Sequence, residues 1–143
     1  MFSQRGAHAY AQIGVETGVA SASPHRLILM LYDGAMKAIN EALGHLASGN
    51  TAGKGEAVSR AIGVIEQGLK ASLDGAQGGA IALQLAELYD YMNRRLLLSS
   101  MRNEAAGFHE VSGLLRELRE AWEAIETSTA NAAAASAARY TTA

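Results

Sequence analysis

The side chains best placed to do chemistry in this chain are its histidines, at positions 8, 25, 45 and 109, and the carboxylates near them. A helical bundle that holds a pair of metal ions needs Glu-x-x-His pairs on two helices and further glutamates, all pointing inward. No such pair occurs. The nearest arrangement is Glu41 and His45 one turn apart, a spacing that reads as a solvated helix pair. A phosphotransfer bundle would want an exposed histidine with a basic neighbour one turn on, whereas His45 is followed by Leu46-Ala47-Ser48-Gly49. Asp33 and Asp90 have no acid/base partner by spacing, and no G-x-x-x-x-G-K-[ST] loop is present to cradle a phosphate. Cysteine is absent, which removes disulfides, thiolate metal sites and thiol nucleophiles together. The sequence therefore predicts no catalytic residues, no metal site and no cofactor.

Composition bounds the remaining classes. The chain has 143 residues, 49% hydrophobic and 18% charged, enough to bury one core without staples. Twelve basic against fourteen acidic residues give none of the basic excess that neutralising phosphates demands, so nucleic acid is not an expected partner. The first residues, Met1-Phe2-Ser3-Gln4-Arg5-Gly6-Ala7-His8, lack an apolar signal core, and the densest apolar run, Leu27 to Tyr32, is too short to span a bilayer. A cytoplasmic protein without membrane insertion is the expectation.

The elements follow from spacing. One proline and no bounded Val/Ile/Thr alternation leave little room for strands, and the apolar residues recur at three and four. Ser23 is a helix cap with Pro24 in the first helical position, and this first helix runs to about Leu46 or Ala47. After Ser48-Gly49-Asn50-Thr51-Ala52-Gly53 a second helix carries Val58, Ala61, Ile62, Ile65, Leu69 and Leu73 on one side, ending in the glycines between Asp74 and Gly79. A third has Ile81, Leu85, Leu88, Tyr89, Met92 and Leu96 as its stripe. A break near Gly107 leads to a fourth with Val111, Leu114, Leu115, Leu118, Trp122 and Ile125. The predicted fold is all-α: an antiparallel four-helix bundle at residues 23–126 within a single domain. A short arm or helix at residues 1–22 precedes it, and a flexible or helical Ala-rich tail at residues 127–143 follows.

Two helices carry more apolar surface than a bundle core requires. At about 100° per residue, the fourth helix confines its apolar residues to roughly a third of its girth. The first spreads Leu27, Ile28, Leu29, Leu31, Tyr32, Met36, Ile39 and Leu43 over roughly 200°, leaving Asp33, Lys37, Asn40 and Glu41 as a wet strip. On the third, Leu83, Tyr91, Leu98 and Met101 project away from the core stripe among Glu87, Asp90 and Arg94. Such a surplus fits a centrally packed helix with scattered surface leucines. It fits equally a groove that receives an amphipathic segment of another chain.

Several segments together resemble the FliS family of flagellar secretion chaperones. They are Ala9-Tyr10-Ala11-Gln12-Ile13-Gly14-Val15-Glu16-Thr17, Ser21 to Pro24 with Met30-Leu31-Tyr32-Asp33-Gly34-Ala35, Gly53-Lys54-Gly55, and Ala61-Ile62 through Ile65-Glu66 and Gly68-Leu69 to Ser72-Leu73-Asp74. Leu88-Tyr89-Asp90-Tyr91-Met92-Asn93-Arg94-Arg95-Leu96-Leu97, Arg102-Asn103 and Ala121-Trp122 complete the set. The resemblance runs in order from about residue 7 to 125.

That resemblance implies a cytoplasmic export chaperone that binds the disordered C-terminal segment of flagellin, prevents its premature polymerisation and supports its secretion by the flagellar type III export apparatus. By family motif or by misplaced exposure, Ile28, Tyr32, Leu83, Tyr91, Leu98 and Met101 are the expected apolar contacts, with Asp33, Asn93 and Arg94 as polar anchors. Ile28 and Tyr32 are equally consistent with plain core. The resemblance further implies that Tyr10 and Ile13 on the arm cover part of the groove as a lid until flagellin displaces them. An arm permanently docked to complete the core is the other reading of those two residues. The competing function is a structural helical-bundle adaptor that homodimerises through its apolar surface.

Overall fold

The computed structural model describes the backbone of residues 23–73 and 78–141, with side chains described through residue 125. Among these residues there are four helices and no strand: α1 (Pro24–Ser48), α2 (Thr51–Gly63), α3 (Ala80–Arg102) and α4 (Ala105–Thr141). The end of α2 widens into a π-helical stretch, Val64–Lys70, followed by a 3-10 turn, Ala71–Leu73. The tail expected to fray or add turns continues α4 as helix to Thr141. The arm with Tyr10 and Ile13 lies outside the described residues.

Local chemistry sets the boundaries. Ser23 Oγ accepts from the Arg26 amide at 3.1 Å, and Pro24 takes the first position, where its missing donor costs nothing. Two turns then share one device. At Gly49 (φ 74) the amide of Asn50 reaches back to the His45 carbonyl, and at Asn103 (φ 54) the amide of Glu104 reaches back to that of Ser99. Both are left-handed caps that satisfy the last carbonyls of a helix, built once on glycine and once on asparagine. Asn50 also starts α2, its Oδ1 accepting from Gly53 N at 3.0 Å.

The second cap corrects the sequence reading. The break between α3 and α4 falls at Asn103–Glu104, and Gly107 lies inside α4. Its lack of a side chain serves close approach: a Cβ there would sit 1.6 Å from Ser99 Oγ and 2.7 Å from Ser99 Cβ. Phe108, beside it, is wholly buried.

Side-chain ties show that sequential helices run antiparallel, with α4 antiparallel to α1. Lys70 meets Asp90 while Lys54 meets Asn103 between α2 and α3. Ser99 meets Gly107 between α3 and α4, and His25 meets Trp122 between α1 and α4. The core centres on α1, which buries Ile28, Leu29, Leu31, Tyr32, Ala35, Ala38, Ile39 and Ala42. Ile65 and Leu69 of the π-helical stretch, Tyr89, Met92 and Leu96 of α3, and Phe108, Val111 and Leu115 of α4 complete it. The breadth of apolar surface on α1 is thus taken up by its neighbours. In contrast α3, of similar length, buries Tyr89, Met92, Leu96 and Ser99 and nothing else.

Two residues assigned to core stripes by periodicity are not core. Ile81 is 66% exposed and Ile125 is 55% exposed. Both lie at the far end of the α3–α4 hairpin. There Trp122 already meets His25, the second residue of α1, so Ile125 projects beyond the start of α1, where no described helix covers it.

Candidate functional site

Among the described residues, most of the exposed large apolar side chains lie on α3. At about 100° per residue, Tyr89, Met92, Leu96 and Ser99 point inward and Leu83, Arg94, Leu97 and Met101 fall on the opposite side. Leu83 is 69% and Met101 71% exposed; Leu97, Leu98 and Tyr91 are exposed with them. Solvated leucines occur singly on most proteins. A succession along one helix, opposite its core stripe, marks an interaction surface.

The polar residues of this face fall into two groups. Arg94 is exposed and makes no hydrogen bond or ion pair with the described residues. Asp90 is held by Lys70 at 2.7 Å, and Lys70 also reaches Glu66 at 3.4 Å, contacts that raise the lysine's proton affinity. Asn93 donates through Nδ2 to Glu66 at 3.4 Å, while its Oδ1 is buried with no partner among the described residues. Tyr91 donates its hydroxyl to Glu110 at 2.5 Å, and Arg95 donates to the same carboxylate at 2.7 Å. These two donors, Tyr91 first, hold the Glu110 carboxyl below its ordinary range. The Tyr91 hydroxyl is therefore engaged within the bundle.

The other sequence-derived site residues lie elsewhere. Ile28 and Tyr32 are inside the core, where Tyr32 and Tyr89 set their hydroxyl oxygens 2.6 Å apart. Asp33 lies on the seam between α1 and α4. It accepts from Arg119 Nε at 2.6 Å and Nη2 at 3.3 Å, and Arg119 also binds Glu123 at 2.6 Å. The structure brings together Leu83, Tyr91, Asn93, Arg94, Leu98 and Met101 on α3, and places Ile28, Tyr32 and Asp33 on α1.

Sequence reasoning missed Leu97, which lies on the same line as Leu83 and Met101. The signal was available, since 83, 87, 90, 94, 97 and 101 follow alternating steps of four and three. It also missed Lys54, a buried ammonium that donates to the Ser100 carbonyl at 2.8 Å and to Asn103 Oδ1 at 2.5 Å. That cation caps the C-terminal end of α3, where the free carbonyls favour positive charge. Two segments of the family resemblance, Gly53-Lys54-Gly55 and Arg102-Asn103, thus meet at one point and fix the end of the exposed helix. Gly53 serves a different close approach, within the α1–α2 turn, where a Cβ would lie 2.7 Å from His45 Nδ1 and 2.8 Å from Asn50 Nδ2.

Among the described residues no group of three or more His, Asp or Glu side chains is placed to hold a metal ion. No described helix is long and apolar enough to cross a membrane.

The family model described as FliS, flagellar protein FliS, matches residues 6–129. The chain is 53% identical over 125 residues to the flagellar secretion chaperone FliS of Salmonella typhimurium, covering 87% of this chain and 93% of that protein. It is 42% identical over 123 residues to the flagellar secretion chaperone FliS of Escherichia coli, covering 86% and 90%. To the protein of the same name from Bacillus subtilis it is 31% identical over 115 residues, covering 80% and 81%.

Proposed function

This chain belongs to the FliS family of flagellar secretion chaperones, and from that premise we propose that its client is flagellin, captured through the C-terminal segment that is disordered before assembly. The protein is a flagellar export chaperone and not an enzyme. In the proposed role it meets flagellin in the cytoplasm, prevents premature polymerisation, and delivers it to the flagellar type III export apparatus.

The observation that carries this reading is the apolar line on α3, turned directly away from the core. A disordered client that folds on binding wraps a large surface through many modest contacts, which suits an extended strip better than a closed pocket. Leu83, Tyr91, Leu98 and Met101 supply the apolar contacts, and Asn93 and Arg94 anchor the segment between them. Ile28 and Tyr32 support the groove from the core side, and Asp33 with Arg119 forms a polar edge at α1 and α4. Tyr10 and Ile13 act as a displaceable lid.

A pull-down with full-length and C-terminally truncated flagellin tests the client. Loss of binding on truncation supports the reading, and undiminished binding contradicts it. Deleting residues 1–17 tests the lid: a folded protein with unchanged or tighter binding is the outcome the lid requires, and a collapse of thermal stability is the outcome that excludes it.

A further inference from the structure

The outward line of α3 does not account for two of the exposed apolar residues. Ile81 and Ile125 carry core phase and yet are 66% and 55% exposed. Ser99 of α3 packs directly on Gly107 of α4. Ile81 lies eighteen residues before Ser99 and Ile125 eighteen after Gly107, a separation of five complete turns at about 100° per residue. Because the two helices are antiparallel, the isoleucines stand level with one another and turn, as Ser99 and Gly107 do, toward the seam between α3 and α4. Leu85 and Trp122, one turn nearer the core, are partly buried against it. The core stripe thus continues to the end of this hairpin but loses its cover there, because α1 begins at Pro24. Its second residue, His25, already lies beside Trp122, with Nε2 2.6 Å from the carbonyl oxygen.

We propose that Val19, outside the described residues, covers Ile81 and Ile125 and closes this end of the core. Chain connectivity selects the occupant. The segment Glu16-Thr17-Gly18-Val19-Ala20-Ser21-Ala22 joins α1 at Ser23, whose side chain caps that helix at the mouth of the gap. Val19 is its one large apolar residue. Four residues span at most about 14 Å, and Ile125 lies only about 5 Å along α4 from Trp122, so Val19 reaches the pair and is tethered beside it. The other nearby segment outside the described residues, Asp74-Gly75-Ala76-Gln77 before α3, offers no apolar side chain larger than a methyl group. Seated between the isoleucines, Val19 takes three apolar side chains out of water together. Tyr10 and Ile13 lie upstream of Gly14 and Gly18, so this seat leaves the lid free to swing from a fixed root. That consequence rests on the flagellin reading, whereas the seat of Val19 does not.

The chain has no cysteine, so the contact can be tested directly in the full protein without client. Val19→Cys is combined in turn with Ile81→Cys, with Ile125→Cys, and with Met101→Cys about 30 Å along α3 from Ile81. Each double variant, confirmed as folded by circular dichroism, is treated with a short bifunctional maleimide. Linking within one chain, at the native mass of 15.0 kDa, is at least about tenfold faster for the Ile81 and Ile125 partners than for Met101. In separate melts Ile81→Ser, Ile125→Ser and Val19→Ser each lower the melting temperature by about 3–8 °C, and Val19→Ser combined with Ile125→Ser lowers it by less than the two effects added. Equal linking to all three partners overturns the proposal, since the root is then undocked. Links formed only between two chains overturn it by assigning the patch to a second copy. Isoleucine variants that melt with the native protein overturn it as well, because both side chains are then solvated.

Discussion

Lys54 and Asn103, 49 positions apart in the chain, join the two turns at the closed end of the bundle, the ammonium donating to Asn103 Oδ1 and to the Ser100 carbonyl. A buried lysine with neutral acceptors is held by the carbonyl end of α3, where the helix dipole stands in for a carboxylate. The tie fixes the C-terminal end of the helix that carries the exposed apolar line. Replacing Lys54 with Met keeps the buried stem and removes the charge, leaving both acceptors short of a donor. Thermal melts should show a loss of about 1–3 kcal/mol, and amide exchange should accelerate first in the last turn of α3.

The hydroxyl pair of Tyr32 and Tyr89 makes stability depend on alkaline pH. Burial raises both phenols above their ordinary ionisation value of 10.0, strongly so for Tyr89, where the Tyr32 hydroxyl adds to the rise. A raised folded-state value means that the contribution is intact below pH 10 and declines as pH climbs above it, where the unfolded chain releases protons that the native state retains. Urea unfolding between pH 8 and 11.5 should show stability falling only above about pH 10. Tyr89→Phe should lower stability near pH 7 by about 1 kcal/mol and flatten the alkaline decline.

Two glycines of α4 should respond in opposite directions to the same substitution. Gly107→Ala drives a methyl group into Ser99 and should destabilise by roughly 1–3 kcal/mol, the range for overpacking a tight contact. Gly113 has nothing within 4 Å of an added Cβ, so Gly113→Ala should stabilise by about 0.5–1 kcal/mol through helix propensity alone. Chemical denaturation of the two variants decides both.

Glu110 makes the α3–α4 link sensitive to acid. Its carboxyl is held below the ordinary 4.5 by the Tyr91 hydroxyl and Arg95. A lowered folded-state value gives a contribution present above about pH 4.5 and lost as pH falls through the lowered value. Glu110→Gln should remove this part of the acid dependence, as read from melts between pH 3 and 7, and should also lessen the alkaline decline, because Glu110 is the main cause that raises the Tyr91 phenol.

Much of this architecture is legible in local chemistry. Ser23 and Pro24 announce the start of α1 because capping depends on neighbours in sequence, and the three-four spacing separates helix from strand throughout. Gly107 misled because glycine marks both turns and close approaches, while the turn actually used places Asn103 in the left-handed region, a weaker signal. Ile81 and Ile125 have the right phase for the core, but phase carries no information about where the neighbouring helices begin. The apolar girth of α1 and the outward leucines of α3 look alike in sequence. Only the packing of the other helices around α1 distinguishes a central helix from a peripheral one with an uncovered face. Lys54 was invisible for a related reason: lysine is almost never buried, and its acceptors lie far along the chain.

The central claim, that the outward line of α3 is a client surface, is tested most directly by calorimetric titration of a flagellin C-terminal segment into the native chain and into a Leu98→Ser, Met101→Ser variant. Both residues are exposed, so the variant should keep its helicity and melt within about 1 kcal/mol of the native protein while binding the segment at least about tenfold more weakly. Unchanged affinity in a correctly folded variant would contradict the account and take α3 out of the site.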